Sequence, residues 1–239
     1  MIMVDSSGLF DLKETLAVGL YFAVIGYFFL MFGYFLLIRY RRSKRIYWFY
    51  FSMFFIFLAI SRVAYMFYDF FFIATDTMNR FAAWKVANVT GWIAVAALSG
   101  ILSILLFTGD SPLHKWVKRI FPLVPLGLGI HIFFLPIEWV FAPGIPIAKL
   151  YLNYIILPAY IFLLPVMFFY LSWRSVGTLA RSFLLNGLGL FLYYGARAVQ
   201  GDVLVWIFGD GYTAALLPPL VILLSILLIS FANQYEHLK

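Results

Sequence analysis

Four ionisable side chains stand inside otherwise apolar stretches: Arg62 and Asp69 in AISRVAYMFYDFF, and Arg197 and Asp202 in YYGARAVQGDV. In a hydrocarbon surround a charge costs about 2.5 to 3.5 kcal/mol on insertion scales, so such residues are paired, solvated or put to use. Arg62 follows Ile46 by 16 residues and Arg197 follows Arg181 by 16, a rise of about 24 Å if both stretches are helical. The two guanidiniums are therefore expected at similar depth. Asp69 is seven residues from Arg62 and Asp202 five from Arg197. The first pair shares a helix face two turns apart, and the second does not share one well. Pairing between helices, Arg62 with Asp202 and Arg197 with Asp69, is the expectation. The alternative to a functional role is that these residues are buried clamps holding the second and sixth apolar stretches together.

Tyr65, Tyr68, Tyr193, Tyr194 and Gln200 flank the arginines, and Asn88, Trp92, Glu138, Asn153 and Tyr154 fall near the same depth. Guanidiniums with aromatic walls suit an anion or an amphiphile with an acidic head, because Arg offers bidentate donors and stacks on rings. The predicted ligand-binding set is Arg62, Tyr65, Asp69, Asn88, Tyr194, Arg197 and Asp202. No catalytic residue, metal site or cofactor is expected. His131 is the one histidine within an apolar stretch, while His114 and His237 fall outside, too few embedded ligands for bis-histidine haem or a three-histidine zinc site. The absence of cysteine removes thiol catalysis, disulfides and thiolate metal sites. Asn88, Val89 and Thr90 match a glycosylation sequon, but its place inside an apolar stretch makes the match accidental.

The elements that must hold these residues follow from composition. Hydrophobic residues make up 65% of the 239 residues and charged ones 11%, against roughly half and a quarter in soluble chains. A bilayer core needs about 20 predominantly apolar residues per helical crossing. The chain supplies them over 16–38, 46–73, 84–107, 117–141, 147–173, 180–208 and 213–231. Runs such as Leu216 to Ile229 do not alternate in polarity, which excludes a β-barrel. The expected fold is an all-α membrane protein, a seven-transmembrane-helix bundle forming a single polytopic domain over 1–239. Eleven loop and terminal Lys and Arg residues fall on one side and four (Lys13, Arg80, Lys85, Lys149) on the other. The positive-inside bias then places the N-terminus outside and the C-terminus in the cytoplasm of a multi-pass cell-membrane protein. The net charge of +7 is thus a topology signal, and no nucleic acid partner is expected. The opening MIMVDSSGLFDLKET is acidic, so a removable signal peptide is not expected.

An offset of 135 residues lays Arg39 on Arg174 and Arg62 on Arg197, which raises a three-plus-one-plus-three repeat of 16–107 and 147–235. Gly19, Gly26 and Gly33 recur every seven residues and predict close packing of another helix of the same chain, in preference to a dimer seam. Prolines at 122, 125, 136, 158, 165, 218 and 219 predict kinks in the fourth, fifth and seventh spans. Trp84, Trp139, Trp206 and Tyr212 read as an interfacial belt.

Seven spans with this orientation resemble the layout of opsins, G-protein-coupled receptors and the seven-helix sensory modules of some prokaryotic histidine kinases. The opsin lysine is missing between Thr213 and Phe231, and Leu105 to Asp110 (LLFTGD) lacks the acidic-Arg-aromatic triplet of the receptors. Sugar-exporting three-plus-one-plus-three transporters have a similar layout, although prolines occur here in the fifth and seventh spans and not in the first and third. The resemblance implies a non-enzymatic sensor or receptor-like protein. It would bind a small anionic or lipid-like ligand near the outer face, with the lipid bilayer as surround and a cytoplasmic or membrane protein as partner. A small-solute transporter and a structural subunit of a membrane complex are the alternatives.

Overall fold

The computed structural model describes residues 12–72, 75–107, 109, 111–141, 147–198 and 211–234. Helices account for all the regular structure among them. We label the long ones α1 (Leu12–Gly33), α2 (Ile46–Met66), α3 (Thr77–Leu106), α4 (Pro112–Phe133), α5 (Leu157–Arg174), α6 (Gly177–Ala198) and α7 (Gly211–Gln234). Helix α1 runs on through a π-helical segment, Tyr34–Tyr40, and Arg41–Ser43; α2 runs on through the π-helical segment Phe67–Phe71. Ile147–Tyr151 and the π-helical segment Leu152–Ile156 lead into α5. Among the described residues five helices are long and apolar enough to cross a membrane: Thr15–Ser43, Ile46–Phe71, Thr77–Leu106, Pro112–Phe133 and Leu216–Gln234. Their outward faces carry large apolar residues such as Phe22, Leu30, Leu37, Phe133 and Phe231. That architecture is of a helical membrane protein, with lipid as the solvent for its apolar exterior.

Two boundaries differ from expectation for chemical reasons. Helix α3 starts seven residues before Trp84, at Thr77, because the Asp76 carboxylate accepts the backbone N–H of Asn79 at 3.2 Å and caps the N-terminus. The expected fourth span over 117–141 is broken: α4 ends at Phe133 and a separate short turn, Glu138–Phe141, follows. Pro136 stands in the gap, where it lacks a donor and pushes its predecessor out of the helical region.

The chain divides into two compact units, Ile25–Ile155 and Met1–Val24 with Ile156–Lys239. In the first, α2 packs on α3 and α3 on α4, while the π-helical end of the first helix packs on α2. Phe35 is fully buried there and stacks on Trp48, Phe51 and Phe55, with ring centroids 5.5, 5.1 and 5.6 Å away. Gly100 lets the Tyr50 ring lie against α3; a Cβ there would meet its Cε1 at 2.9 Å. Gly129 similarly brings α4 onto Trp92. In the second unit α6 packs on both α5 and α7, with Gly189 set against the Ser225 carbonyl and Ile229 of α7. Asn233 Nδ2 of α7 donates to Asn186 Oδ1 of α6 at 3.1 Å and to Ile229 O at 2.7 Å. Asn186 in turn donates to Ser182 O at 3.0 Å. Both asparagines are buried, so their amides hold the two helices in register.

Two expectations fail. Among the described residues no atom lies within 4 Å of where a Cβ would stand on Gly19, Gly26 or Gly33, so no described helix of its own unit packs closely on any of the three. Spacing identifies a common face, not an occupant for it. Trp84, assigned to an interfacial belt, is buried and its carbonyl accepts the Asn88 amide. Trp139 is exposed as a belt residue should be, whereas Trp206 and the Tyr212 side chain lie outside the described residues.

Candidate functional site

Helix periodicity brings Ser61, Tyr65 and Asp69, at successive intervals of four, toward one side of α2 with Arg62 beside them. Trp84 and Asn88 have the same spacing on α3. These faces meet. Ser61 Oγ donates to Ala87 O at 2.7 Å, and Tyr65 Oη donates to Asn88 Oδ1 at 3.1 Å. Asn88 Nδ2 donates to Trp84 O one turn back, at 2.8 Å. Asn88 is buried and bonded on both ends of its amide, which removes it as a glycosylation acceptor. Arg62 is buried within the same layer.

The C-terminal continuation of α2 is the π-helical Phe67–Phe71, closed by the Phe72 N–H on Phe67 O at 3.0 Å. Such wide turns shift the residues beyond them out of α-helical phase and recur at functional positions. Asp69 sits in this turn with its side chain exposed. Arg62 and Arg80 both act electrostatically on its carboxylate. Arg80, at the start of α3, lies over the Tyr68 ring, 4.5 Å from its centroid. Its Nε is buried with no hydrogen-bond partner among the described residues. Phe141 lies against the Tyr68 ring and Phe81 against Phe141, with centroids 6.5 and 6.2 Å apart. Asp76 does not neutralise Arg80 by ion pairing; its carboxylate caps α3 and binds the Asn79 amide at 2.7 Å. Lys85, one turn on, points elsewhere, donating to Phe133 O at 2.9 Å.

Four of the seven residues predicted to bind ligand, Arg62, Tyr65, Asp69 and Asn88, thus fall in one polar layer of α2 and α3 in the Ile25–Ile155 unit. Tyr194 belongs to the other unit, buried against Tyr193 with ring centroids 5.0 Å apart. The Arg197 side chain, Gln200 and Asp202 lie outside the described residues, as do the side chains of Asn153 and Tyr154. The pairings of Arg62 with Asp202 and of Arg197 with Asp69 therefore lie outside them too. No protein-family model matches this chain, nor does any curated protein or solved structure.

Sequence reasoning treated Arg80 only as a loop cation. The signal was the adjacent Asp-x-x-Asn start of α3, which turns a loop position into the first turn of a helix and aims Arg80 at Tyr68. His131 serves no ligand role in this layer: its exposed ring is bonded through Nε2 to Tyr151 Oη at 2.7 Å.

Proposed function

We propose that this chain is a multi-pass cell-membrane protein of seven transmembrane helices, N-terminus outside and C-terminus cytoplasmic. It acts as a non-enzymatic, sensor or receptor-like protein that binds a small anionic or lipid-like ligand at the outer end of α2 and α3, with the cytoplasmic helix ends meeting a partner. The observation that carries this reading is Arg80, whose guanidinium lies over the Tyr68 ring at 4.5 Å and whose Nε is buried with no hydrogen-bond partner among the described residues. A buried guanidinium donor in a low-dielectric surround calls for an acceptor, and an acidic ligand is its natural complement. Support comes also from the aromatic wall, since Tyr68 stacks on Arg80 and so presents the guanidinium edge. Ser61, Tyr65 and Asn88 spend their hydrogen bonds within the layer, which favours its rim at Arg80 as the place of binding.

Native mass spectrometry of the purified full chain tests it. The wild type should retain an acidic molecule that both Arg62→Gln and Arg80→Gln release. Retention that neither variant changes sinks the reading. A ligand-free protein that co-purifies stoichiometrically with other chains favours a structural subunit, and solute flux in liposomes favours a transporter.

A further inference from the structure

A cavity lies in the Ile25–Ile155 unit at the other end of α2 and α3 from the Asp69 turn. It has a volume of about 820 Å³ and opens where α2 begins, α3 ends and α4 begins. Lys115, Lys118 and Arg119 of α4 line it, followed by Pro122 and Leu123. These positions, spaced three and four apart, form one helix face whose first turns are cationic and whose next turn is apolar. Ile46 of α2 and Ile104 of α3 complete the apolar side. None of the three cations has a hydrogen-bond or ion-pair partner among the described residues, and all three are exposed. Lys115 stands in the first turn of α4, where the helix dipole is already positive and disfavours a cation. Three side chains and a dipole of one sign therefore converge on one recess. Below them the walls turn apolar, as happens where a bilayer changes from head groups to chains.

We propose that this cavity binds an anionic phospholipid, its phosphate held by Lys115, Lys118 and Arg119 and the start of an acyl chain lying along Ile46, Ile104 and Leu123. A recess of this size takes a whole head group, and basic pockets between membrane helices are where lipid phosphates settle. Ser103, on the α3 wall, spends its hydroxyl proton on Gly100 O at 2.8 Å. Its oxygen remains an acceptor for a head-group hydroxyl, which favours a glycerol head over a choline one. This inference rests on the membrane reading of the helices and is independent of the outer site around Asp69.

The test uses the full chain in a non-ionic detergent, titrated with dihexanoyl-phosphatidylglycerol, dihexanoyl-phosphatidylcholine and inorganic phosphate, with binding read by native mass spectrometry and thermal stabilisation. Phosphatidylglycerol should bind and stabilise; phosphatidylcholine, with no net charge, and inorganic phosphate, with no chain, should do neither at the same concentration. A triple variant, Lys115→Gln, Lys118→Gln and Arg119→Gln, should weaken binding on the order of a hundredfold, roughly fivefold for each cation at a membrane surface. Circular dichroism confirms that these exposed substitutions leave the helices intact. Arg41→Gln with Arg42→Gln removes two exposed cations that do not line the cavity and should leave binding unchanged. Equal loss in the two variants would reduce the effect to general surface charge and overturn the site. Equal binding of phosphatidylcholine would remove the role of the cations, and equal binding of inorganic phosphate the role of the apolar wall; either result overturns the assignment. Release of an acidic molecule by Arg80→Gln with no change in phosphatidylglycerol binding separates this site from the outer one.

Discussion

Gly189→Ala and Gly26→Ala form a matched pair whose opposite outcomes follow from what surrounds each glycine. A Cβ on Gly189 would stand 2.6 Å from Ile229 Cγ1, 2.9 Å from the Ser225 carbonyl oxygen and 3.3 Å from the Ile229 nitrogen. Two of these are backbone atoms of α7, so relief requires moving one helix relative to the other. Overpacking of this kind costs about 1 to 3 kcal/mol, and the rigid neighbour argues for the upper part of that range. The helix-propensity gain of alanine over glycine, about 1 kcal/mol, offsets some of it. The net expectation is a loss of about 1 to 2 kcal/mol. At Gly26 nothing lies within 4 Å of the new methyl, so only the propensity gain remains, up to about 1 kcal/mol. The two variants should therefore differ by about 2 to 3 kcal/mol, roughly 4 to 12 °C in the unfolding midpoint of a chain this size. Thermal unfolding of the purified protein in one detergent, followed by tryptophan fluorescence, measures the difference directly. Equal midpoints would refute the close α6 to α7 approach, and a large loss at Gly26 would mean that a helix does pack on that face.

Asn233→Leu breaks the buried amide pair with Asn186 and should cost about 0.6 to 2 kcal/mol, part of which Asn186→Leu in the same chain restores because no orphaned amide is left; strictly additive losses in thermal unfolding would argue against the pair. Tyr65→Phe and Asn88→Ala should show a coupling of about 1 kcal/mol in a double-mutant cycle, since each removes one side of the same bond. Asp69→Asn removes the carboxylate on which Arg62 and Arg80 act and should tighten retention of an acidic ligand in native mass spectrometry, while weaker retention would mean that the carboxylate itself contacts the ligand.

Long apolar runs made the helices legible, because a bilayer tolerates few alternatives to them. Their ends were less so. The start of α3 depended on one carboxylate at Asp76, and the end of α4 on a proline that was read as a kink instead of a stop. The π-helical turns left no mark in composition. Tyr65 and Asn88 were singled out as polar residues at like depth, and the structure bonds them; the partnership of Asn186 with Asn233 was not foreseen, because residue spacing reports the face of one helix and not which helix comes opposite. The same limit explains the glycines of α1, which meet no close neighbour among the described residues of their own units, and Trp84, which turned inward. Of the polar layer, Arg62, Tyr65, Asp69 and Asn88 stood out in the sequence by residue type and depth, Arg80 was read only as a loop cation, and the Arg197 side chain lies outside the described residues.

The proposed seven crossings would put the two ends of the chain on opposite sides of the membrane. The sequence contains no cysteine, so single cysteines introduced as Ser7→Cys and His237→Cys report without background. In intact cells an impermeant thiol reagent should modify the first and leave the second untouched until the cells are lysed. Modification of both from outside, or of the position near the C-terminus alone, would contradict the seven-span orientation.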